Sequence, residues 1–157
     1  MRLTTYAFAT RLIATIGAIT LAMASHSATF TGSGVGAIPD GTSATCPAPG
    51  LPLNITFAAT GLTSTALTDI RVSMTFGTTH NWGGDITATL ISPTGISFPL
   101  FGRIGATTAT ANGASANLSG TYVFVDPAIT TNNIWTVASA TTTAAPILEG
   151  TYATTPV

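Results

Sequence analysis

Beyond Pro52 the chain repeatedly sets apolar residues against polar ones in short alternating runs. Leu53-Asn54-Ile55-Thr56-Phe57 is the first. In Ile70-Arg71-Val72-Ser73-Met74-Thr75-Phe76, residues Ile70, Val72, Met74 and Phe76 share one face and Arg71, Ser73 and Thr75 the other. Asp85-Ile86-Thr87-Ala88-Thr89-Leu90-Ile91 aligns Ile86, Ala88 and Leu90 in the same way. A period of two is that of a strand with one buried face. Ser92-Pro93-Thr94-Gly95 then separates this run from Ile96-Ser97-Phe98-Pro99-Leu100-Phe101. The pair predicts a hairpin, because proline presets φ for the turn and glycine supplies the positive φ after it. Pro99 lacks an N–H, so its strand is expected at an edge or a bulge. Tyr122-Val123-Phe124-Val125 and the shorter Asn133-Ile134-Trp135-Thr136-Val137 are the last apolar runs. Residues 106–120, rich in Ala, Thr, Asn and Gly, read as a long loop with few core residues. No window after Ala24 carries a helical stripe, so the expected fold class is all-β, a sandwich or barrel.

The N-terminal 24 residues have a different logic. Arg2 and Arg11 precede Leu12-Ile13-Ala14-Thr15-Ile16-Gly17-Ala18-Ile19-Thr20-Leu21, and Ala22-Met23-Ala24 follows as a small-x-small cleavage pattern. This is the layout of a secretory signal peptide, cut after Ala24 or, as alternatives, after Ser27 or Ala28. The apolar run, about 13 residues, is well short of the roughly 20 that span a bilayer. A secreted, extracellular protein is therefore expected, with no membrane attachment once the signal is gone. Residues 25–36, containing Gly32-Ser33-Gly34-Val35-Gly36, read as a flexible leader, with no strand before and no helix after to make a dinucleotide motif.

Composition narrows the partners. Among 157 residues only 6% are charged, 45% are hydrophobic, and the formal net charge is -1. Thr, Ser, Asn and Gly must therefore keep the surface wet. Lysine is absent, and after signal removal only Arg71 and Arg103 remain against Asp40, Asp69, Asp85, Asp126 and Glu149. No basic patch can hold a phosphate backbone, which excludes nucleic acid as a partner. The length suits one domain. Cys46, the single cysteine, cannot form an internal disulfide; it is a free thiol or a bridge to another chain.

Order and spacing carry a family resemblance. Thr79-His80 closes an alternating strand, Gly84-Asp85-Ile86 opens the next, and Leu90-Ile91-Ser92-Pro93-Thr94-Gly95 ends it. Ile38-Pro39-Asp40 and Phe124-Val125-Asp126-Pro127-Ala128 flank these pieces. Residues 37–157 thus resemble the P domain, or Homo B domain, of proprotein convertases. The resemblance implies a jelly-roll β-sandwich of galactose-binding-like type, found beside subtilisin-like serine endopeptidases and also in bacterial secreted proteins without a protease. Asn81-Trp82-Gly83-Gly84 is one residue longer than the family's linker and predicts a bulge or longer bend. The family's closing Asn-Gly-x-Trp-x-Leu strand does not occur before Val157, and five or six strands are expected against the eight of a jelly roll. The expected sandwich is incomplete at its C-terminal end.

Candidate chemistry is sparse. Gly41-Thr42-Ser43-Ala44 is similar to the segment around a subtilisin nucleophile, but Cys46-Pro47-Ala48-Pro49-Gly50-Leu51-Pro52 cannot form the helix that such a serine begins. No Gly-x-Ser-x-Gly elbow occurs, and His80 is the only histidine besides His26. Catalysis by this chain alone is not expected. One histidine is too few for zinc, and His80 is expected to bond backbone in the bend before Asp85. Asp40, Asp85 and Asp126 lie at loops or strand ends, where carboxylates either ligate calcium or cap turns; the resemblance, through calcium binding in some members of the family, makes Asp85 and Asp126 the stronger candidates for ligation, with turn capping the simpler alternative. Trp82, Trp135 and Tyr122 are candidates for a sugar platform or for core. Asn54-Ile55-Thr56 and Asn117-Leu118-Ser119 fit the glycosylation sequon, relevant in a eukaryotic secretory route.

Three functions follow as expectations: a secreted non-catalytic P-domain-like module serving stabilisation or interaction, a fragment of a secreted serine endopeptidase whose catalytic domain lies elsewhere, and a carbohydrate-binding or adhesive module. The expected partners are a protease domain or a cell-surface or extracellular component. The short leader places no protease domain upstream.

Overall fold

The computed structural model describes residues 27–41, 50–62, 69–108, 111–141 and 143–155. The signal peptide with its cleavage site after Ala24, Cys46 and residues Thr42-Ser43-Ala44 lie outside these residues. The described chain is mostly β, with one short helix. Strand β1 is Gly32–Ser33, β2 Thr56–Phe57, β3 Val72–His80, β4 Ala88–Ile91, β5 Ser97–Phe101, β6 Leu118–Val125 and β7 Gly150–Ala153; helix α1 is Ile134–Ala140. They form three sheets: β1 with β2, β4 with β5, and a three-stranded sheet in the order β3-β6-β7.

Strand β3 keeps the predicted faces from Val72 onward, but Ile70, expected on the inward face, lies before the strand and is exposed because no partner strand covers it there. Val72, Met74 and Phe76 turn inward against the core, while Ser73 and Thr75 face solvent. Across the antiparallel pair the Thr75 and Thr121 hydroxyls meet at 2.9 Å and Thr79 Oγ1 donates to Ser119 Oγ at 3.4 Å. Hydroxyls replace the charges that this surface lacks. The β4–β5 hairpin forms at the expected turn, where Gly95 has φ 84° and its N–H donates to the Ser92 carbonyl at 2.9 Å. Thr89 pairs with Pro99 but Ala88 with Phe101, so Leu100 is the extra residue of a bulge beside the proline. The bulge turns two successive residues, Leu100 and Phe101, into the core.

Several elements depart from the sequence reading. Residues 133–137 are not a strand: Asn133 caps a helix through its side chain, which accepts from the Trp135 N–H at 2.8 Å, and Ile134 and Ala138, four residues apart, bury one face. Two apolar positions four apart, in a run that also contains β-formers, are too few to read as a stripe. The stretch read as a loop over 106–120 supplies Ala116 and Leu118 to the core and ends inside β6. Strand β7 was not anticipated; it lies parallel to β6, with Tyr122 opposite Gly150 and Phe124 opposite Tyr152. The connection from β6 through α1 to β7 is the kind of crossover that parallel pairing requires. Residues Gly32–Ser33 of the expected leader pair with Phe57 and Thr56, and only these two residues of the predicted 53–57 strand are in a ladder.

The core joins the hairpin to the three-stranded sheet. Phe101 stacks on Phe124 with ring centres 4.9 Å apart, and Tyr122, Tyr152, Ile104, Ile134 and Ile147 fill the space around them. The Tyr122 hydroxyl is 0% exposed as part of its residue, donates to the Ile147 carbonyl at 2.8 Å and accepts from the Ser119 N–H at 3.1 Å. Burial raises the pKa of Tyr122, opposed by the Ser119 bond and reinforced by the Glu149 charge; burial, then Tyr122, raises that of Tyr152. Because the folded values lie above the unfolded one of 10.0, the native state holds these protons longer than the unfolded chain. Stability from this source is full below pH 10 and is lost as pH rises past 10.0 through the folded values. Thermal melts are expected to show a steep fall in Tm above that pH, and Tyr122→Phe to reduce its steepness while lowering Tm at neutral pH.

Candidate functional site

Polar groups converge where the β3–β4 connection meets residues 111–118 and 144–147. Asn117 is the hub. It is 9% exposed, the only buried polar residue of the described chain. Its Oδ1 accepts from the Trp82 N–H at 3.3 Å and its Nδ2 donates to the Ala144 carbonyl at 2.7 Å. Its backbone N–H donates to Ala145 O and its carbonyl accepts from the Ile147 N–H, each at 2.8 Å. One side chain therefore ties three non-adjacent segments. Sequence reasoning singled out Asn117 only as part of a sequon, and the folded structure leaves its amide no space for a glycan. Asn54 is exposed.

Trp82 precedes a single turn of 3-10 helix, Gly83–Asp85, and adopts φ 66°, ψ 73°. This is the predicted bend. Such a conformation is costly for a bulky residue, and two further bonds hold it: Asp85 N–H to the Trp82 carbonyl at 3.0 Å, and Trp82 Nε1 to the Asn112 carbonyl at 2.7 Å. Gly83 and Gly84 follow because backbone lies directly against them: their N–H groups donate to Ala116 and Ala114 carbonyls at 2.7 and 3.0 Å. Arg103 reinforces the junction, with Nε 3.3 Å from the Gly84 carbonyl and Nη2 on the Ala111 carbonyl. The role of Arg103 was not legible, since a lone arginine in a run without acids carries no pattern.

The predicted site residues are not brought together. Asp85 is exposed at the end of the 3-10 turn, Asp40 is exposed, and Asp126 caps a turn, its Oδ1 accepting from the Ala128 N–H at 2.7 Å. Among the described residues no three His, Cys, Asp or Glu side chains form a group able to hold a metal ion. Glu149 is engaged with the Thr121 N–H at 3.0 Å, and Arg71 pairs with Asp69 at 2.7 Å on the surface. His80 Nε2 is buried without a hydrogen-bond partner, so this ring nitrogen makes no backbone bond in the bend.

The three aromatics do not form a platform. Tyr122 is core, Trp82 is 40% exposed, and Trp135 is half-buried at the start of α1. Beside Trp135 runs an open groove of about 460 Å³ lined by Pro127, Thr130, Thr131, Asn133, Ala153 and Thr155 among others. Trp135 Nε1 and Thr155 Oγ1 are buried there without partners, and no charged side chain lines it. Its chemistry is that of neutral hydroxyls and one indole. Comparisons with family models, curated proteins and solved structures gave no match to this chain. Among the described residues no helix is long and apolar enough to cross a membrane.

Proposed function

We propose that this chain is a secreted, non-catalytic module of the P-domain type, a jelly-roll-like sandwich that stabilises or docks with a subtilisin-like endopeptidase or another extracellular component. The observation that carries the reading is the employment of its polar side chains: Asn117, Arg103, Asp126 and Glu149 all bind backbone groups of their own fold. Side chains committed to backbone are not free to transfer protons or attack a substrate. The segments that carry the resemblance also fall on successive elements, β3 ending at His80, the Gly83–Asp85 turn, then β4 and its Ser92-Pro93-Thr94-Gly95 hairpin.

Co-secretion with a subtilisin-like catalytic domain that lacks its own accessory domain tests this. The expected result is co-elution and a longer half-life of the protease on heating. Separate elution with an unchanged half-life rejects the docking role, and hydrolysis of a casein substrate by this chain alone, blocked by a serine-directed inhibitor, rejects the non-catalytic one.

A further inference from the structure

Of the six asparagines in the chain, only Asn112 precedes a glycine. A glycine leaves the backbone nitrogen on its N-terminal side unobstructed by any Cβ. Asn112 is exposed, and neither its side-chain amide nor the Gly113 N–H has a hydrogen-bond partner among the described residues. The other asparagines are followed by bulkier residues, and three are engaged: Asn117 at both side-chain atoms, Asn132 through Nδ2 on the Thr151 carbonyl, and Asn133 as the helix cap.

The amide linking Asn112 to Gly113 is also polarised. Its oxygen accepts the Trp82 Nε1 hydrogen bond at 2.7 Å. Oxygen and nitrogen of one peptide are conjugated, so donation to the Asn112 carbonyl draws density from the Gly113 nitrogen and makes its N–H more acidic. Trp82 is held in place for this by its own turn.

We propose that Asn112 is a self-modification site, converted in the folded protein to aspartate and isoaspartate. The Gly113 nitrogen loses its proton and attacks Asn112 Cγ. The new N–Cγ bond closes a five-membered imide, the Cγ–Nδ2 bond breaks, and ammonia leaves carrying a proton equivalent to the one removed. Water then adds at either imide carbonyl, opening the ring to aspartate or isoaspartate. Only water is consumed and ammonia released, with no change of oxidation state. The product gains a carboxylate, and the isoaspartate form inserts one methylene into the backbone next to Gly113. That glycine has φ 70°, and a Cβ built on it would lie 2.8 Å from Gly84 Cα. The reaction therefore loosens the junction held by Asn117 and couples the age of the protein to its stability.

Peptide mapping of the full secreted protein after incubation in mildly alkaline buffer at body temperature tests the proposal. Conversion at position 112 is expected to outrun that at the other five asparagines by an order of magnitude, with isoaspartate detected by a carboxyl-methyltransferase assay. Conversion no faster than at the other five overturns it. Asn112→Gln is expected to abolish the age-dependent fall in unfolding midpoint; a fall that persists in this variant overturns the link to stability. Trp82→Phe, checked for folding by its melt, is expected to slow the reaction severalfold, and an unchanged rate in the folded variant overturns the activating role of Trp82.

Discussion

Gly84→Ala is expected to cost about 3 kcal/mol or more, the upper part of the range for overpacking a filled interior. A Cβ at this buried position would lie 2.6 Å from the Ala114 nitrogen, 2.7 Å from the Asn112 carbonyl oxygen and 2.8 Å from the Gly113 carbonyl carbon. All three are backbone atoms, so no side chain can swing aside. The segment that would have to retreat is itself fixed, since Ala114 N–H donates to the Ile104 carbonyl at 2.7 Å. A domain of this size has only about 5–15 kcal/mol in total. Urea unfolding is expected to show a midpoint lowered by roughly a fifth to three fifths with an unchanged slope. As a control, Gly77→Ala meets nothing within 4 Å and should move the midpoint little.

Asn117→Ala is the second large effect. It removes the bonds to the Trp82 N–H and the Ala144 carbonyl, both on exposed residues that water can reach, so each costs the net worth of a hydrogen bond, about 0.5–1.5 kcal/mol, for a loss of about 1–3 kcal/mol. Asn117→Asp separates hydrogen bonding from packing. The carboxylate still accepts from Trp82 but faces the Ala144 carbonyl oxygen, where Nδ2 donates at 2.7 Å in the native chain. At neutral pH this variant should be less stable than Asn117→Ala, because a buried charge opposes a carbonyl dipole. On acidification the neutral acid can donate to Ala144 and the deficit should shrink. Equal stability of the two variants at both pH values would show that the hub acts through shape alone.

Both substitutions strike positions that hydrophobic patterning does not reach. Val72, Met74 and Phe76, and then Ile86, Ala88 and Leu90, are inward as the alternation requires, because a pleated strand puts every second side chain on one face whatever else surrounds it. The Ser92-Pro93-Thr94-Gly95 turn and the bulge at Pro99 are equally local, decided by φ preference and a missing N–H. The 111–118 segment is different. Its contributions are small side chains and backbone contacts, Gly113 against Gly84 and Ala116 under Gly83, and hydropathy gives little weight to alanine and none to a carbonyl. Helix α1 was read as a strand because its pattern is only Ile134 and Ala138, with the Asn133 cap as the signal that could have identified it.

The candidate site divides in the same way. Sparse charge, the absence of lysine and the single Cys46 are properties of composition, and the last excludes an internal disulfide without any coordinates. Where the few charges go is not compositional. Asp126 spends its carboxylate on the Ala128 N–H within two residues, a local act foreseeable as turn capping, whereas Glu149 reaches Thr121 and Asn117 reaches Trp82 and Ala144 across gaps in the chain. By itself the sequence determined the strand faces from Val72 onward, the hairpin and the scarcity of charge, since each depends on composition or on residues a few positions apart. Only the tertiary structure decided the parallel β6–β7 pairing, the glycine-on-glycine junction and the burial of Asn117, because these depend on which distant backbones meet and which of their N–H and C=O groups would otherwise lack a partner.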